Sequence, residues 1–324
     1  MLVLPDYGTL TSIEFYGQSR MNQRTTLLTG GTGFVGGYLL PKLDRAILTT
    51  RNIERARMKT DSTAVEFLKW SGKANDLSID PATQIDSVVN LMGESIAEGR
   101  WTAAKKQRIR SSRIDATRTL VDELVKLDTL PKVMVSASAV GIYGDPGEAE
   151  VNESHPPATD FLGDVCRDWE NEAMRLADHG VRVVLLRIGI VMGRGGGAID
   201  KMLPLFKLGL GGRLGSGKQW VPWIHVHDLV SMIQWAIEND SVTGPINASA
   251  PNPVRNSEMT SAMAKSVNRF AILPAPRFAL RVALGEFTNS LFSSQNVIPQ
   301  AAIDGGFQFQ YPTIDLALEE IVDE

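Results

Sequence analysis

The sequence predicts an α/β protein: a doubly wound parallel sheet with helices on both faces, and a smaller C-terminal substrate domain. Three observations carry that prediction. Short β-branched and apolar runs alternate with amphipathic helical stretches from residue 24 to about residue 191. A glycine-rich turn, TGGTGFVG at 29–36, joins the first run to the first helical stretch. The alternation stops near residue 192, where a glycine cluster at 193–197 opens a region of different character.

The elements follow in order. RTTLLTG at 24–30 reads as a buried strand ending in glycine. FVGGYLLPKL at 34–43 starts a helix that Pro41 keeps short or kinked. RAILTT at 45–50, AVEFLKW at 64–70 and DSVVNLM at 86–92 read as the next three strands. Residues 102–127 read as one long amphipathic helix, with Ile109, Ala116, Leu120, Leu124 and Leu127 near helical spacing and Thr102 as N-cap. PKVMVSA at 131–137 is a fifth strand. Residues 160–178 form a helix with Val165, Trp169, Ala173 and Leu176 on one face, stopped by Gly180. VRVVLLRIGIV at 181–191 is read as a single sixth strand, and 257–324 as mostly helical.

These readings divide the 324 residues. Residues 1–22 are expected to be a disordered extension, with Met21 an alternative start just ahead of the first patterned run. Residues 23–240 form the cofactor domain, with 192–222 contributing to the substrate side. Residues 241–324 form a mostly helical C-terminal domain.

Composition narrows the function. A net charge of −4 argues against a protein that coats nucleic acid. The cations of the 102–118 stretch, Lys105, Lys106, Arg108, Arg110, Arg113 and Arg118, lack interleaved aromatics and read as a solvated face. A minority of those arginines can face cofactor phosphates. The single cysteine, Cys166, excludes an intramolecular disulfide framework, and the four histidines, His155, His179, His225 and His227, do not fall at zinc-site spacings. No metal is expected. No stretch reaches the roughly 18 apolar residues of a membrane span. Pro5 and Asp6 interrupt the N-terminus, which is no secretory signal. A cytoplasmic protein with a small-molecule substrate is expected, with no nucleic-acid or membrane partner; a homodimer is admitted.

The glycine turn carries the functional signal. Gly31, Gly33 and Gly36 match G-x-G-x-x-G, while Gly30, Gly33 and Gly36 match G-x-x-G-x-x-G. One glycine permits the tight turn, another lets backbone N–H groups approach a pyrophosphate, and the last lets helix and strand pack closely. Strand before and helix after supply the context that a Rossmann-type dinucleotide site requires. Gly30, Gly31, Thr32, Gly33, Phe34, Val35 and Gly36 are therefore the predicted phosphate cradle. The second strand ends TTRN, with Arg51 and Asn52 where an NAD site carries a carboxylate. Arginine suits a 2′-phosphate, so NADP is favoured over NAD.

TGGTGFVG at 29–36, VVNLMG at 88–93, VSASAVGIYG at 135–144, LLRIGIVMG at 185–193 and WIHVHDLV at 223–230 together resemble an extended short-chain dehydrogenase/reductase. NLMGESIAEGRW at 90–101, DFLGDVCRDWENEA at 160–173 and GPINASAPNPVRNSEMT at 244–260 resemble one atypical branch of it. That branch is labelled NAD-dependent epimerase/dehydratase-like, or epimerase family protein, and carries a C-terminal domain of unknown function. The resemblance covers about residues 24–322. It implies that Asn90, Leu91, Met92 and Gly93 border adenosine and ribose and that Glu94 accepts a ribose hydroxyl. It also implies that Ser138 hydrogen-bonds a substrate carbonyl or hydroxyl.

The chemistry departs from the wider superfamily, whose Tyr and following Lys, four residues on, exchange a proton with substrate. Phe161 or Leu162 stands where Tyr belongs, and Val165 or Cys166 where Lys belongs. Tyr143 is the leading substitute donor, ahead of Glu170, His225 and Asp164; a structural tyrosine at a strand-to-loop turn is the alternative. Cys166 reads as a small buried thiol. Trp220 and Trp223, flanking Pro222, either wall an apolar substrate pocket or pack a domain interface. His225 is the second candidate substrate residue. Enzyme and redox-inactive NADP(H)-binding sensor both remain open on this reading.

Overall fold

The structure is a computed structural model describing residues 23–60, 64–74, 76–271 and 274–322. The expected extension, 1–22, lies outside the described residues.

The strands are β1 Thr25–Thr29, β2 Arg45–Thr50, β3 Val65–Lys69, β4 Ser87–Asn90, β5 Val133–Ala139, β6 Glu150–Val151 and β7 Arg182–Ile188. They continue with β8 Ile190–Met192, β9 Trp220–Val221, β10 Trp223–His225, β11 Gly244–Ala248, β12 Val254–Arg255 and β13 Asn296–Val297. The helices are α1 Phe34–Leu39, α2 Ile53–Arg57, α3 Ala103–Ser111, α4 Ile114–Leu124, α5 Phe161–Met174 and α6 Ile199–Lys207. After them come α7 Val226–Glu238, α8 Asn256–Ser266, α9 Arg277–Leu284, α10 Phe287–Phe292, α11 Gln300–Asp304 and α12 Ile314–Val322.

Seven strands form one parallel sheet in the order β11-β7-β5-β4-β1-β2-β3. The chain runs outward from β1 to β3, then returns to place β4 on the other side of β1. That reversal opens a crevice beyond the carboxyl ends of β1 and β4. Successive residues feed opposite layers, as a period of two requires. Leu27, Val88 and Met134 meet Leu120, Leu124 and Leu176 on one face. Leu28, Val89 and Val135 meet Leu229 and Ile233 of α7 on the other. A separate apolar core in the C-terminal region joins Met192, Phe206 and Trp223 to Met259, Met263, Leu318 and Ile321. No helix among the described residues is long and apolar enough to cross a membrane.

Three sequence expectations need correction. The 102–127 helix is two helices, α3 and α4, broken at Ser112 and Arg113. Both side chains take the Ile109 carbonyl (Ser112 Oγ at 3.2 Å, Arg113 Nη1 at 3.3 Å) and so compete with the helical ladder. Thr102 does cap α3, its Oγ1 accepting the Lys105 N–H at 3.2 Å.

The 181–191 strand is also two. At Gly189 the chain leaves the sheet; Ile190 N–H turns to the Pro222 carbonyl at 2.8 Å, and β8 pairs with β10 instead.

The third is β11, which lies beyond residue 240, where the cofactor domain was expected to end. It pairs with β7 and completes the sheet. Its Gly244-Pro245 start reads as a breaker, yet an edge strand tolerates proline. Elsewhere, Pro41 ends α1 by opening a 3-10 turn, and Gly180 closes the 160–178 segment with φ 82°.

Candidate functional site

The glycine turn follows β1 at the crevice. Gly30 adopts φ 69°, and a Cβ there would lie 2.6 Å from the Leu91 carbonyl oxygen. Gly33 N–H closes the turn on the Gly30 carbonyl at 3.0 Å. A Cβ on Gly36 would lie 2.4 Å from the Gly31 Cα, so helix α1 packs directly on the turn. Thr32 and Gly33 are exposed, Phe34 and Val35 half-buried.

Phe34 also explains the 193–197 glycines. Its ring lies against Gly193, Gly196 and Gly197, and a Cβ on Gly196 would meet it at 2.4 Å. Arg51, just past β2, is exposed and makes no ion pair among the described residues. Asn52 caps α2 by accepting the Arg55 N–H at 2.9 Å.

The segment after β4 is held by protein contacts. Asn90 is buried. Its Oδ1 accepts from Thr29 Oγ1 at 2.7 Å, and its Nδ2 donates to Thr117 Oγ1 at 2.9 Å and Ser136 Oγ at 3.2 Å. It ties β1, β4, β5 and α4 together beneath the crevice. Leu91 packs on Gly30, and Met92 approaches Gly72. Gly93 packs on the Arg113 guanidinium.

The Glu94 carboxylate takes Lys105 Nζ at 2.8 Å and Arg108 Nε at 3.2 Å. Burial works to raise its pKa, but those hydrogen bonds and charges outweigh burial and hold it below the ordinary value.

Ser138 and Tyr143 belong to one buried network. Ser138 Oγ donates to Glu170 Oε1 at 2.6 Å. Glu170 is forked to Arg187, with Nε–Oε1 and Nη2–Oε2 both 2.9 Å. Arg187 Nη1 donates to Tyr143 Oη at 2.9 Å, and Tyr143 Oη donates to Asn247 Oδ1 at 2.7 Å.

Burial pushes the Tyr143 phenol up to about 12, against the pull of Arg187. With 3% exposure, Tyr143 is enclosed, as the structural alternative requires. Ser138 has given its hydrogen to Glu170, so it has none for a substrate carbonyl; only its lone pairs can receive a ligand hydroxyl. Sequence reasoning missed Arg187 and Asn247. The signal was an arginine inside the apolar run VRVVLLRIGIV, which must be paired if buried.

The positions of the missing pair are apolar or sealed. Phe161 lies 5.4 Å from Trp101 in an edge contact and 5.2 Å from Lys106 Nζ. Leu162 packs on Gly141. Val165 and Cys166 are buried, and burial drives the thiol up to about 12. Beside this end of α5 lies a recess of ≈ 520 Å³, lined by Arg100, Trp101, Thr102, Arg281, Gly285 and Glu286.

The two expected substrate residues lie elsewhere. Trp220 is held at the surface by Glu148, which accepts its indole N–H at 3.2 Å, and by Arg255, 4.3 Å over its ring. Trp223 packs in the C-terminal core, the interface alternative of the two. His225 is fully buried: Nε2 lies 3.0 Å from Glu320 Oε2, and the ring lies 3.9 Å from Tyr311. Burial lowers its pKa to about 4, Glu320 only partly offsetting. It fastens α12 to the end of β10. Among the described residues no three His, Cys, Asp or Glu groups stand together as a metal site.

A glycine turn and a second strand-end segment meeting at the reversal point of a doubly wound sheet define a Rossmann-type nucleotide-binding protein. The model of the NAD dependent epimerase/dehydratase family matches residues 26–248, and a domain of unknown function, DUF1731, matches 275–321. The chain belongs to the NAD dependent epimerase/dehydratase family, and its motif resemblance to the atypical epimerase branch is borne out. It is 37% identical to the chloroplastic epimerase family protein SDR39U1 homolog of Arabidopsis thaliana, over 97% of this chain and 91% of that protein. It is 39% identical to an epimerase family protein of Mycobacterium bovis, over 92% and 97%. The crystal structure of human epimerase family protein SDR39U1 with NADPH superposes with a TM-score of 0.84 at 32% identity, covering 93% of this chain and 99% of that one.

Proposed function

We propose that the chain binds NADP(H) at the glycine turn and acts on a small carbonyl or hydroxyl substrate, as an oxidoreductase or epimerase-like protein. One observation carries the cofactor choice: the glycine turn stands beside a β2 end that offers the exposed Arg51, without an ion pair among the described residues, and no carboxylate. The residues present fit the group. Backbone at Thr32 and Gly33 is open to a pyrophosphate, and Gly30, Gly31 and Gly36 leave no space that side chains could fill. NADPH in the human relative agrees with this choice, and NAD is the second option. The cofactor supplies the hydride. The chain's part is to hold it and to present the recess beside Phe161 to a substrate.

The test compares NADPH and NADH affinity in the wild type and Arg51→Ala. A loss confined to NADPH supports the 2′-phosphate role; equal losses for both cofactors sink it. NADPH absorbance is then followed across a panel of carbonyl compounds.

A second reading, a redox-inactive NADP(H) sensor, is favoured by a separate observation. Phe161, Leu162 and Val165 carry no exchangeable proton, the Cys166 thiol is buried and pushed up to about 12, and Tyr143 is enclosed. Tight NADPH binding with no oxidation on any compound selects this reading. Fractionation of cells reports on the cytoplasm, the compartment proposed with either.

A further inference from the structure

Three cations converge on the loop after β4. Lys105 Nζ donates to Glu94 Oε1 and to the Ser95 carbonyl, at 2.8 and 2.7 Å. Arg108 Nε shares the same carboxylate. Arg113 Nη1 donates to the Glu94 carbonyl at 3.0 Å. The Glu94 carboxylate is shared by Lys105 and Arg108, whereas Arg113 meets only the Glu94 backbone carbonyl and has no carboxylate within ion-pair distance among the described residues.

Its guanidinium is tightly fixed. It lies 5.3 Å from the Trp169 ring, and a Cβ on Gly93 would fall 3.0 Å from Cζ and 3.1 Å from Nη2. Nη1 is used by two carbonyls. Nε and Nη2, the edge that takes an oxyanion in fork geometry, have no hydrogen-bond partner among the described residues. Burial pushes this guanidinium below its ordinary pKa, partly offset by Cys166 and Glu94. Cys166 stands on α5 at one of the two positions where the superfamily's lysine was expected, and the Arg113 guanidinium, from the break before α4, acts on it electrostatically. A buried guanidinium without a carboxylate partner carries a desolvation cost that an anion would offset.

We propose that Arg113, seated on Gly93, is an oxyanion-receiving site whose Nε–Nη2 edge binds a phosphate or carboxylate group of a ligand in the crevice. The inference rests on the cofactor reading for the position of the crevice, not for the chemistry of the anion. Two sources fit that chemistry: the dinucleotide and the substrate.

Inorganic phosphate and acetate are titrated separately into the full chain by calorimetry, with and without saturating NADPH, and NADPH is titrated alone. Wild type, Arg113→Met, Arg113→Lys and Gly93→Ala are compared, with melting curves for each. The expected result is a loss of about tenfold or more in affinity for phosphate, acetate or NADPH in Arg113→Met. Arg113→Lys should show a smaller loss, because a point charge lacks the fork.

Phosphate excluded by NADPH assigns the oxyanion to the cofactor; phosphate bound alongside NADPH assigns it to the substrate. If Arg113→Met does not fold, Gly93→Ala reads the same site by displacing the guanidinium. Equal affinity of wild type and variants for phosphate, acetate and NADPH overturns the proposal. Failure of the wild type to bind NADPH at all overturns the cofactor reading instead, and leaves Arg113-dependent phosphate binding standing or falling by itself.

Discussion

Phe34 occupies the space that a side chain at Gly196 would need: a Cβ there would lie 2.4 Å from the Phe34 ring. The first residue of α1 is thereby fitted to the glycine cluster that follows β8. Gly196→Ala must move the ring or the loop, at a cost of about 1–3 kcal/mol by overpacking. We expect a lower melting temperature and weaker NADPH binding together. In Phe34→Ala/Gly196→Ala the second substitution should cost much less than in the wild type, because the clash is gone. Additive losses in that cycle would show that the contact does not couple the two segments.

The Glu170–Arg187 fork carries a second prediction. Glu170→Gln leaves Arg187 buried without its carboxylate and should destabilise by about 3–5 kcal/mol. Tyr143→Phe removes a hydroxyl bonded to Arg187 and Asn247. It should cost about 1–3 kcal/mol in urea unfolding and leave NADPH affinity unchanged. A Tyr143→Phe protein with wild-type stability and abolished turnover would restore the proton-donor role.

His225 predicts a pH dependence. Its folded pKa, about 4, lies below the unfolded value of 6.5. Between those values the unfolded chain binds the extra proton, so stability falls as pH drops from about 6.5 towards 4, by at most ~1.4 kcal/mol per unit. The groups around the ring are Glu320, His227 and Tyr311. Buried Asp228, whose pKa burial raises, works in the opposite sense at the acid end. The reading is therefore the difference between wild type and His225→Gln in urea midpoints across this window. Parallel curves would remove His225 as the cause.

Cys166 gives a simple probe. A thiol pushed up to about 12 and 4% exposed should resist thiol-specific labelling at neutral pH in the native state. It should react fully in denaturant, with a native-state rate that tracks unfolding. Rapid native labelling would contradict the burial described.

Much of the fold was legible because its signals are local. Runs such as TTLLT and VMVSASA announce buried strands, and the turn at 29–36 announces the crevice beside them. What was not legible depends on contacts between distant residues. Ser112 and Arg113 break a helix where their side chains take the Ile109 carbonyl and also meet residue 94. Gly189 ends a strand because Pro222 offers another partner. At the site, residue type pointed to Ser138, Tyr143 and His225, but not to the partners that consume their hydrogen bonds. The arginine that the structure singles out, Arg113, was grouped with five other cations on a helix face; only the break between α3 and α4 separates it from them.

Pro245 has a consequence beyond hiding β11. That strand is the last on its side of the sheet, and it arrives only after the chain has visited the C-terminal region. A polypeptide cut after residue 240 would leave β7 bare along Val184, Leu185 and Leu186, with main-chain groups free to recruit the same strand of a sister molecule. With β11 in place, the outermost strand carries a proline, which cannot donate to an incoming strand. The same residue that makes the segment look unlike a strand thus leaves the finished edge one main-chain donor short.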